Sequence, residues 1–187
     1  MAYVTRAERA ARQWGLERPD LKSEGMKLVG QIAEAALLIG THHAPPRLAA
    51  LGIKTGEFDV LATLRRAGAP FALTPTDLYG ATMLSSGGMT ARIDSLARQG
   101  LVERRAHPTD RRGTLVALTQ KGLALIDDLM PAHADNKNRT VSALAPEERE
   151  ALSRLLAKLI ASVDPDSPHY IGGPERLSET GEEDKNA

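Results

Sequence analysis

Six arginines, Arg92, Arg98, Arg104, Arg105, Arg111 and Arg112, lie between Ser85 and Gly113 against three acids, Asp94, Glu103 and Asp110. Guanidinium groups at that density suit contact with a phosphate backbone. Ser85, Ser86 and Thr90 stand ahead of them, with hydroxyls that can approach phosphates or base edges. Arg111 and Arg112 belong to a polar run, His107 to Gly113, from which extended arginines can enter a minor groove of negative potential. Asp110 beside them reads as a brace that orients an arginine. No nucleophile with a paired base, phosphate-binding glycine loop or acidic metal cluster is visible, so an enzyme is not expected. With no cysteine, the chain has no disulfide, no thiolate zinc site and no thiol to oxidise, so an effector must be bound rather than reacted with. His42 and His43 are neighbours that would not share a helix face and have no third ligand at useful spacing; they read as surface histidines, and no metal or cofactor is expected.

Residues of this kind need a helix and a basic finger held side by side. Thr74-Pro75-Thr76-Asp77 reads as a helix start: a hydroxyl cap, a proline in the first turn and an acid favoured by the helix dipole. That helix runs to about Thr82, Met83-Leu84 form an apolar turn, and Ser85 or Ser86 caps a second helix with Gly87 and Gly88 at its front. The second helix buries Met89, Ile93, Leu96 and Ala97, spaced i, i+4, i+7 and i+8, while Ser86, Thr90 and Asp94 face elsewhere. Gly100 closes it. Leu101 to Arg105 and Thr114 to Leu118 form an antiparallel ribbon whose tip carries the paired arginines. Alone, the ribbon could be an ordinary solvated hairpin. The whole order is that of a winged helix-turn-helix.

Helices surround this module. Residues 5–14 form a short amphipathic helix ending at Trp14 and Gly15, and Arg18-Pro19-Asp20 is a break. A long helix from about Leu21 to Thr41 carries an apolar stripe including Met26, Val29, Ile32 and Leu37. A short piece covers Arg47 to Leu51, and another helix starts at Thr55 or Gly56 and ends near Gly68. After the ribbon a helix runs from Thr119 to about Thr140, interrupted or bent at Pro131. Pro146 opens a last helix that is expected to bury Leu152, Leu155, Leu156, Leu159 and Ile160. The fold class is therefore mainly α (α+β), a winged helix-turn-helix with a helical dimerisation region. Residues 1–52 supply N-terminal and long helices, 53–120 the DNA-binding domain, 121–163 C-terminal dimerisation helices, and 164–187 a tail.

The formal net charge is zero, but it is unevenly spread. From Asp164 onward seven acids face two bases, a net of −5, which leaves +5 on the remainder. That acidic tail, poor in large apolar residues, is expected to be disordered. The 187 residues contain no apolar run of about 18 and no signal-peptide pattern, so a cytoplasmic protein without a membrane partner is expected.

The run SSGGMTARIDSLARQGLVERR, followed by DRRG and VALTQKG, resembles the MarR family of bacterial transcription regulators, over roughly residues 5 to 165. The resemblance implies a homodimer that places two winged modules on a pseudo-palindromic operator in double-stranded DNA and acts as a ligand-responsive repressor. A finer likeness is to a urate-responsive branch with an extra N-terminal helix carrying a tryptophan. That branch has an aspartate in the helix before the DNA-binding pair, and arginines on the recognition helix and the first wing strand. The matching positions are Trp14, Asp59, Arg92 and Arg104, which the resemblance marks as the effector site.

The residues themselves fit such a site. Arg92 follows Met89 by three and precedes Leu96 by four, which puts its base at the edge of the buried face. Two arginines and an indole suit a flat anionic aromatic such as urate, indole-3-acetate or a phenolic carboxylate. Asp59 would hold an arginine or share in the ligand's proton balance. The ligand is expected between the N-terminal helix, the helix bearing Asp59 and the DNA-binding lobe, lowering affinity for the operator. The plainer reading makes Trp14 a core anchor and Asp59 half of a structural ion pair. A winged-helix protein-interaction module without a small-molecule effector is the alternative function.

Overall fold

Prolines, glycines and hydroxyl caps partition this chain before any long-range packing is considered. The computed structural model describes residues 4–42, 46–82, 88–110 and 113–163. They fall into two units, Met1–Pro45 and Pro46–Ala187. The first holds α1 (Arg6–Glu17) and α2 (Glu24–His42). The Thr5 hydroxyl accepts the Glu8 N–H at 3.0 Å and starts α1. The helix continues past Gly15, where the sequence places its end, to a C-cap at Arg18. A glycine in a helix costs only about 1 kcal/mol, whereas the residue before a proline is sterically pushed out of the α region, so Pro19 decides the stop. The Glu34 carboxylate of α2 accepts the Ala7 N–H at 3.3 Å and lies 3.7 Å from Arg6. A Cβ at Gly30 would stand 2.8 Å from that of Ala7, so the two helices cross closely where glycine meets alanine.

The second unit runs α3 (Pro46–Ala50), α4 (Thr55–Arg66), β1 (Ala72–Leu73), α5 (Pro75–Ala81), α6 (Met89–Arg98), β2 (Val102–Ala106), β3 (Thr114–Leu118), α7 (Gln120–Thr140) and α8 (Pro146–Val163). Its three strands are antiparallel in the order β1-β3-β2, with Ala72 opposite Ala117 and Val102 opposite Leu118. Strand β1 is absent from the sequence expectation because two residues carry no period to read. Phe58, Leu61 and Leu64 of α4 meet Leu78 of α5, Leu96 of α6 and Ile126 of α7 in one core. No helix among the described residues is long and apolar enough to cross a membrane.

The helix-turn-helix forms largely as its sequence dictates. Thr74 caps α5 by accepting the Asp77 N–H at 3.1 Å, with Pro75 in the first turn. Helix α6 buries Met89, Ile93 and Leu96, and Ala97 partly. Its start differs from expectation: the cap position is Gly88 with φ 101°, not Ser85 or Ser86, which lie outside the described residues. A side chain there would be strained, so Gly88 turns the chain into the helix rather than occupying its first turn. At the other end Gly100 has φ 68°; its N–H donates to the Ala97 carbonyl at 2.9 Å and that of Leu101 to the Leu96 carbonyl at 2.9 Å. This paired geometry closes the helix through a left-handed glycine.

Helix α7 is seated on that turn. The Thr119 N–H and hydroxyl donate to the carbonyls of Leu101 and Gly100 at 3.1 and 2.7 Å, while the same hydroxyl accepts the Gly122 N–H at 3.0 Å. Lys121 Nζ donates to the Gln99 carbonyl at 2.8 Å. The helix then runs uninterrupted through Pro131, where an interruption or a bend is expected. Helix α8 corrects another expectation: none of its residues is buried, and Leu152, Leu155, Leu159 and Ile160 are all exposed. The apolar stripe is present, but nothing among the described residues is set against it.

A Cβ at Gly122 would run into the carbonyl oxygen of Leu101, a backbone atom that cannot rotate away. Gly122→Ala is expected to destabilise the fold by about 2–3 kcal/mol, the upper part of the overpacking range. Urea unfolding followed by circular dichroism measures it, and a loss within error of zero would contradict the tight seat assigned to α7.

Candidate DNA-binding and effector surface

With Met89, Ile93 and Leu96 committed to the core, α6 presents Thr90 to solvent. Asp94, half-exposed on the same helix, holds Arg104 of β2 at 2.8 Å. Such a half-exposed pair is worth roughly 0–1 kcal/mol, so its effect is chiefly geometric. It ties the ribbon to the recognition helix candidate and settles where Arg104 stands.

The ribbon's loop is organised by a residue that sequence reading passed over. His107 Nδ1 accepts the Asp110 N–H at 3.1 Å, and the His107 N–H donates to the Gly113 carbonyl at 3.0 Å. The Gly113 N–H returns a bond to the Asp110 carbonyl at 2.9 Å. A Cβ at Gly113 would fall 2.8 Å from that of His107, which makes glycine the fitting residue at the base of the loop. The ordering His-Pro-x-Asp was the available signal: a ring acceptor placed to bond the backbone two and three residues on. Asp110 thus sits at the stem of the loop. Arg111 and Arg112, the arginines it was expected to brace, lie outside the described residues.

A second group gathers Asp59 of α4, Arg92 of α6, and His133 and Lys137 of α7. Burial holds the Asp59 carboxyl above its ordinary range, against the opposing pull of His133, Lys137, Arg92 and Arg66. Arg92 lies over the start of α4: a Cβ on Gly56 would stand 2.6 Å from its Nε, and one on Gly88 3.4 Å from its Nη1. The absence of a side chain at Gly56 makes room for the guanidinium, whereas a Cβ at Gly88 would make only ordinary contact with it. His133 rests its ring on Phe58, with centroids 4.7 Å apart and planes tilted by 37°. Burial and Lys137 push its imidazole below the ordinary value, with Asp59 pulling it back up. Its Nδ1 is buried without a hydrogen-bond partner.

Of the four residues expected to bind an effector, the structure thus brings Asp59 and Arg92 into one charge cluster and gives Arg104 to Asp94. Trp14 belongs to the first unit, where it is 46% exposed and so is no core anchor. His133 and Lys137 were not singled out in the sequence. Their spacing of four on a helix was visible, but nothing local linked them to Asp59. Among the described residues no group of three or more histidine, aspartate or glutamate side chains is placed to hold a metal ion.

Residues 51–113 match a family model described as MarR family. The chain is 34% identical over 159 residues to the HTH-type transcriptional regulator PecS of Dickeya dadantii, covering 85% of this chain and 95% of that protein. Among solved structures, a mutant MarR from E. coli complexed with operator DNA matches with a TM-score of 0.62 at 26% identity, over 79% of this chain and 97% of that one. BpsR of Bordetella bronchiseptica, whose DNA binding is regulated by 6-hydroxynicotinic acid, matches with a TM-score of 0.58 at 28% identity, over 71% and 89% of the two chains.

The raised pKa of Asp59 makes a testable statement about stability. Its protonated form is favoured by folding, so its stabilising contribution is present at low pH and is lost as pH rises through the raised value. At neutral pH the half-buried carboxylate is a net cost, reduced by the exposure that the group retains. Asp59→Asn is therefore expected to raise the melting temperature at pH 7.5 by up to about 2–4 °C. That advantage should shrink as pH falls toward 3.8, the ordinary value for the group. Thermal unfolding across pH checks this; a variant less stable than wild type at pH 7.5 would make Asp59 a structural ion-pair partner instead.

Proposed function

Because the chain belongs to the MarR family of transcriptional regulators, we propose that it is a repressor that binds a pseudo-palindromic operator as a homodimer. In this reading it releases that operator when a small anionic aromatic molecule binds beside Arg92 and Asp59. DNA binding through a winged helix-turn-helix, and the absence of an enzymatic role, go with the family; the dimer, the repression and the effector are the proposal. One observation carries the effector: Arg92 stands on α6, yet its side chain lies against Gly56 of α4 in the field of Asp59. A ligand that recruits this guanidinium acts directly on the recognition helix. Such couplings ordinarily amount to about 1–3 kcal/mol. The regulation of BpsR by 6-hydroxynicotinic acid, a small aromatic acid, supports the ligand class. Trp14 and Arg104 enter the effector site on the sequence pattern, with urate and indole-3-acetate as candidate ligands. The exposed apolar residues of α8 supply a surface that a second copy would cover.

On DNA, Thr90 and the preceding Ser85 and Ser86 approach bases or nearby phosphates in the major groove, and Arg112, secondarily Arg111, enters the minor groove. Selection from random duplexes is expected to enrich an inverted repeat whose half-sites lie about 34–36 Å apart. Arg112→Ala should weaken binding to that repeat by about 10- to 100-fold, roughly 1.4–2.7 kcal/mol. Unchanged affinity in a gel shift at fixed salt would remove the wing from the interface.

The response is tested separately, by titrating urate, indole-3-acetate and 6-hydroxynicotinate while following Trp14 fluorescence and operator release. Arg92→Ala and Trp14→Phe should lose the release. Gly56→Ala should behave similarly while remaining folded, because its new methyl displaces Arg92 although alanine favours the helix by up to about 1 kcal/mol. Release by all three variants at the wild-type effector concentration would defeat the site.

A further inference from the structure

We propose that His133 and Lys137 of α7 are ligand-contacting residues of the effector site, with His133 Nδ1 hydrogen-bonding a polar group on the ligand's ring and Lys137 facing its anionic group. This rests on the effector reading above and adds a third helix to it, one that neither the sequence pattern nor the likeness to relatives assigns. The geometry starts from Phe58. Its ring fixes the plane of the His133 imidazole at 4.7 Å, and the next residue on α4 is Asp59. One turn of α4 thus sets both the histidine's orientation and the carboxylate beside it. Lys137 follows His133 by four on α7, one helical turn away on the same side. Arg92 reaches the group from α6 across Gly56.

Two features of this arrangement are unexplained by folding alone. First, His133 Nδ1 is buried with no partner in the protein. Leaving a buried polar atom unpaired is costly, and native proteins seldom do so without a use for the atom. Second, three cationic side chains, Lys137, Arg92 and Arg66, bear on the single half-buried carboxylate of Asp59. An added anion improves that balance. The imidazole pKa is held below its ordinary value, so at neutral pH it offers a neutral ring nitrogen rather than a charge. The ligand class that matches is a flat aromatic acid carrying, besides its anionic group, a ring N–H or hydroxyl that can donate to that nitrogen. Urate and 6-hydroxynicotinate have that pattern. Nicotinate, whose ring bears neither N–H nor hydroxyl at neutral pH, is the control that separates the charge from the donated hydrogen bond.

Calorimetric titration of the full chain with urate, 6-hydroxynicotinate and nicotinate tests this on four proteins: wild type, His133→Leu, His133→Asn and Lys137→Gln. His133→Leu is expected to weaken the better of the two polar-ring ligands by about tenfold, the scale of one buried hydrogen bond, and to leave nicotinate unaffected within about twofold. His133→Asn, which keeps a polar atom near the position of Nδ1, should recover part of the loss. Lys137→Gln should weaken all three acids alike. Operator affinity without ligand should stay within about twofold of wild type in each variant, and thermal unfolding identifies any that misfold. If wild type binds and both His133→Leu and Lys137→Gln bind equally well, the role of α7 is overturned while the effector site on Arg92 stands. Equal weakening of nicotinate and the polar-ring ligands by His133→Leu would also overturn the assigned hydrogen bond. If wild type binds none of the three acids, and indole-3-acetate neither, the effector reading falls and this inference falls with it; binding of indole-3-acetate alone overturns this inference and leaves that reading standing.

Discussion

The tightest constraint in the molecule is the contact between the start of α7 and the turn that ends α6. Only a residue without a side chain fits at Gly122 against the Leu101 carbonyl, and Thr119 fastens the two chain segments by donating its N–H to the Leu101 carbonyl and its hydroxyl to the Gly100 carbonyl. Gly100, in its left-handed conformation, presents the carbonyls that Thr119 uses. Everything farther along α7 inherits its position from this seat. Ile126 and Leu129 reach the core, Asp127 meets Arg65 at 2.6 Å, Asp128 meets Arg47 at 2.6 Å, and His133 arrives on Phe58. A helix that begins on the recognition helix therefore ends its first four turns beside α4.

That arrangement holds α6 from three sides by different means. Its buried face is fixed by packing and its C-terminal turn by hydrogen bonds to α7. Its polar residues, by contrast, are engaged by charge: Asp94 with Arg104 on the ribbon, and Arg92 toward α4 and Asp59. Packing of the first kind resists displacement, while half-exposed charge contacts of the second kind exchange partners at small cost. Any molecule that competes for Arg92 or Arg104 works on the weaker constraints and leaves the core intact. Asp59 fits this picture, since a carboxylate held out of water by burial is better explained by a use than by its contribution to stability.

Local signals accounted for most of the elements. The cap at Thr74, the proline at Pro75, the apolar spacing of Met89, Ile93 and Leu96, and the glycine at Gly100 each act within one or two turns. Such features are legible because their physics is confined to neighbouring residues. The order of helices and ribbon followed from them, and with it the winged helix-turn-helix. Where expectation and structure differ, a second element had intervened. Strand β1 exists because β3 offers it an edge, and α8 keeps its apolar stripe exposed because nothing among the described residues covers it. Gly88 shows the opposite case, a local signal misjudged: its positive φ makes it the turn into α6 rather than part of the helix.

The candidate site divides along the same line. The sequence by itself determined the types of residue available: a carboxylate on α4, an arginine at the edge of the buried face of α6, arginines along the ribbon and no reactive thiol. Residue type and helical phase are enough to say that much, since each concerns one element. Only the tertiary structure decided which charges share a neighbourhood. It paired Arg104 with Asp94, set Arg92 against Gly56, and brought His133 and Lys137 to Asp59 from far along the chain. The reason is physical: charge interactions depend on distance in space and on exclusion of water. Both were fixed only when α7 docked on the Leu101 carbonyl and carried its side chains across the core.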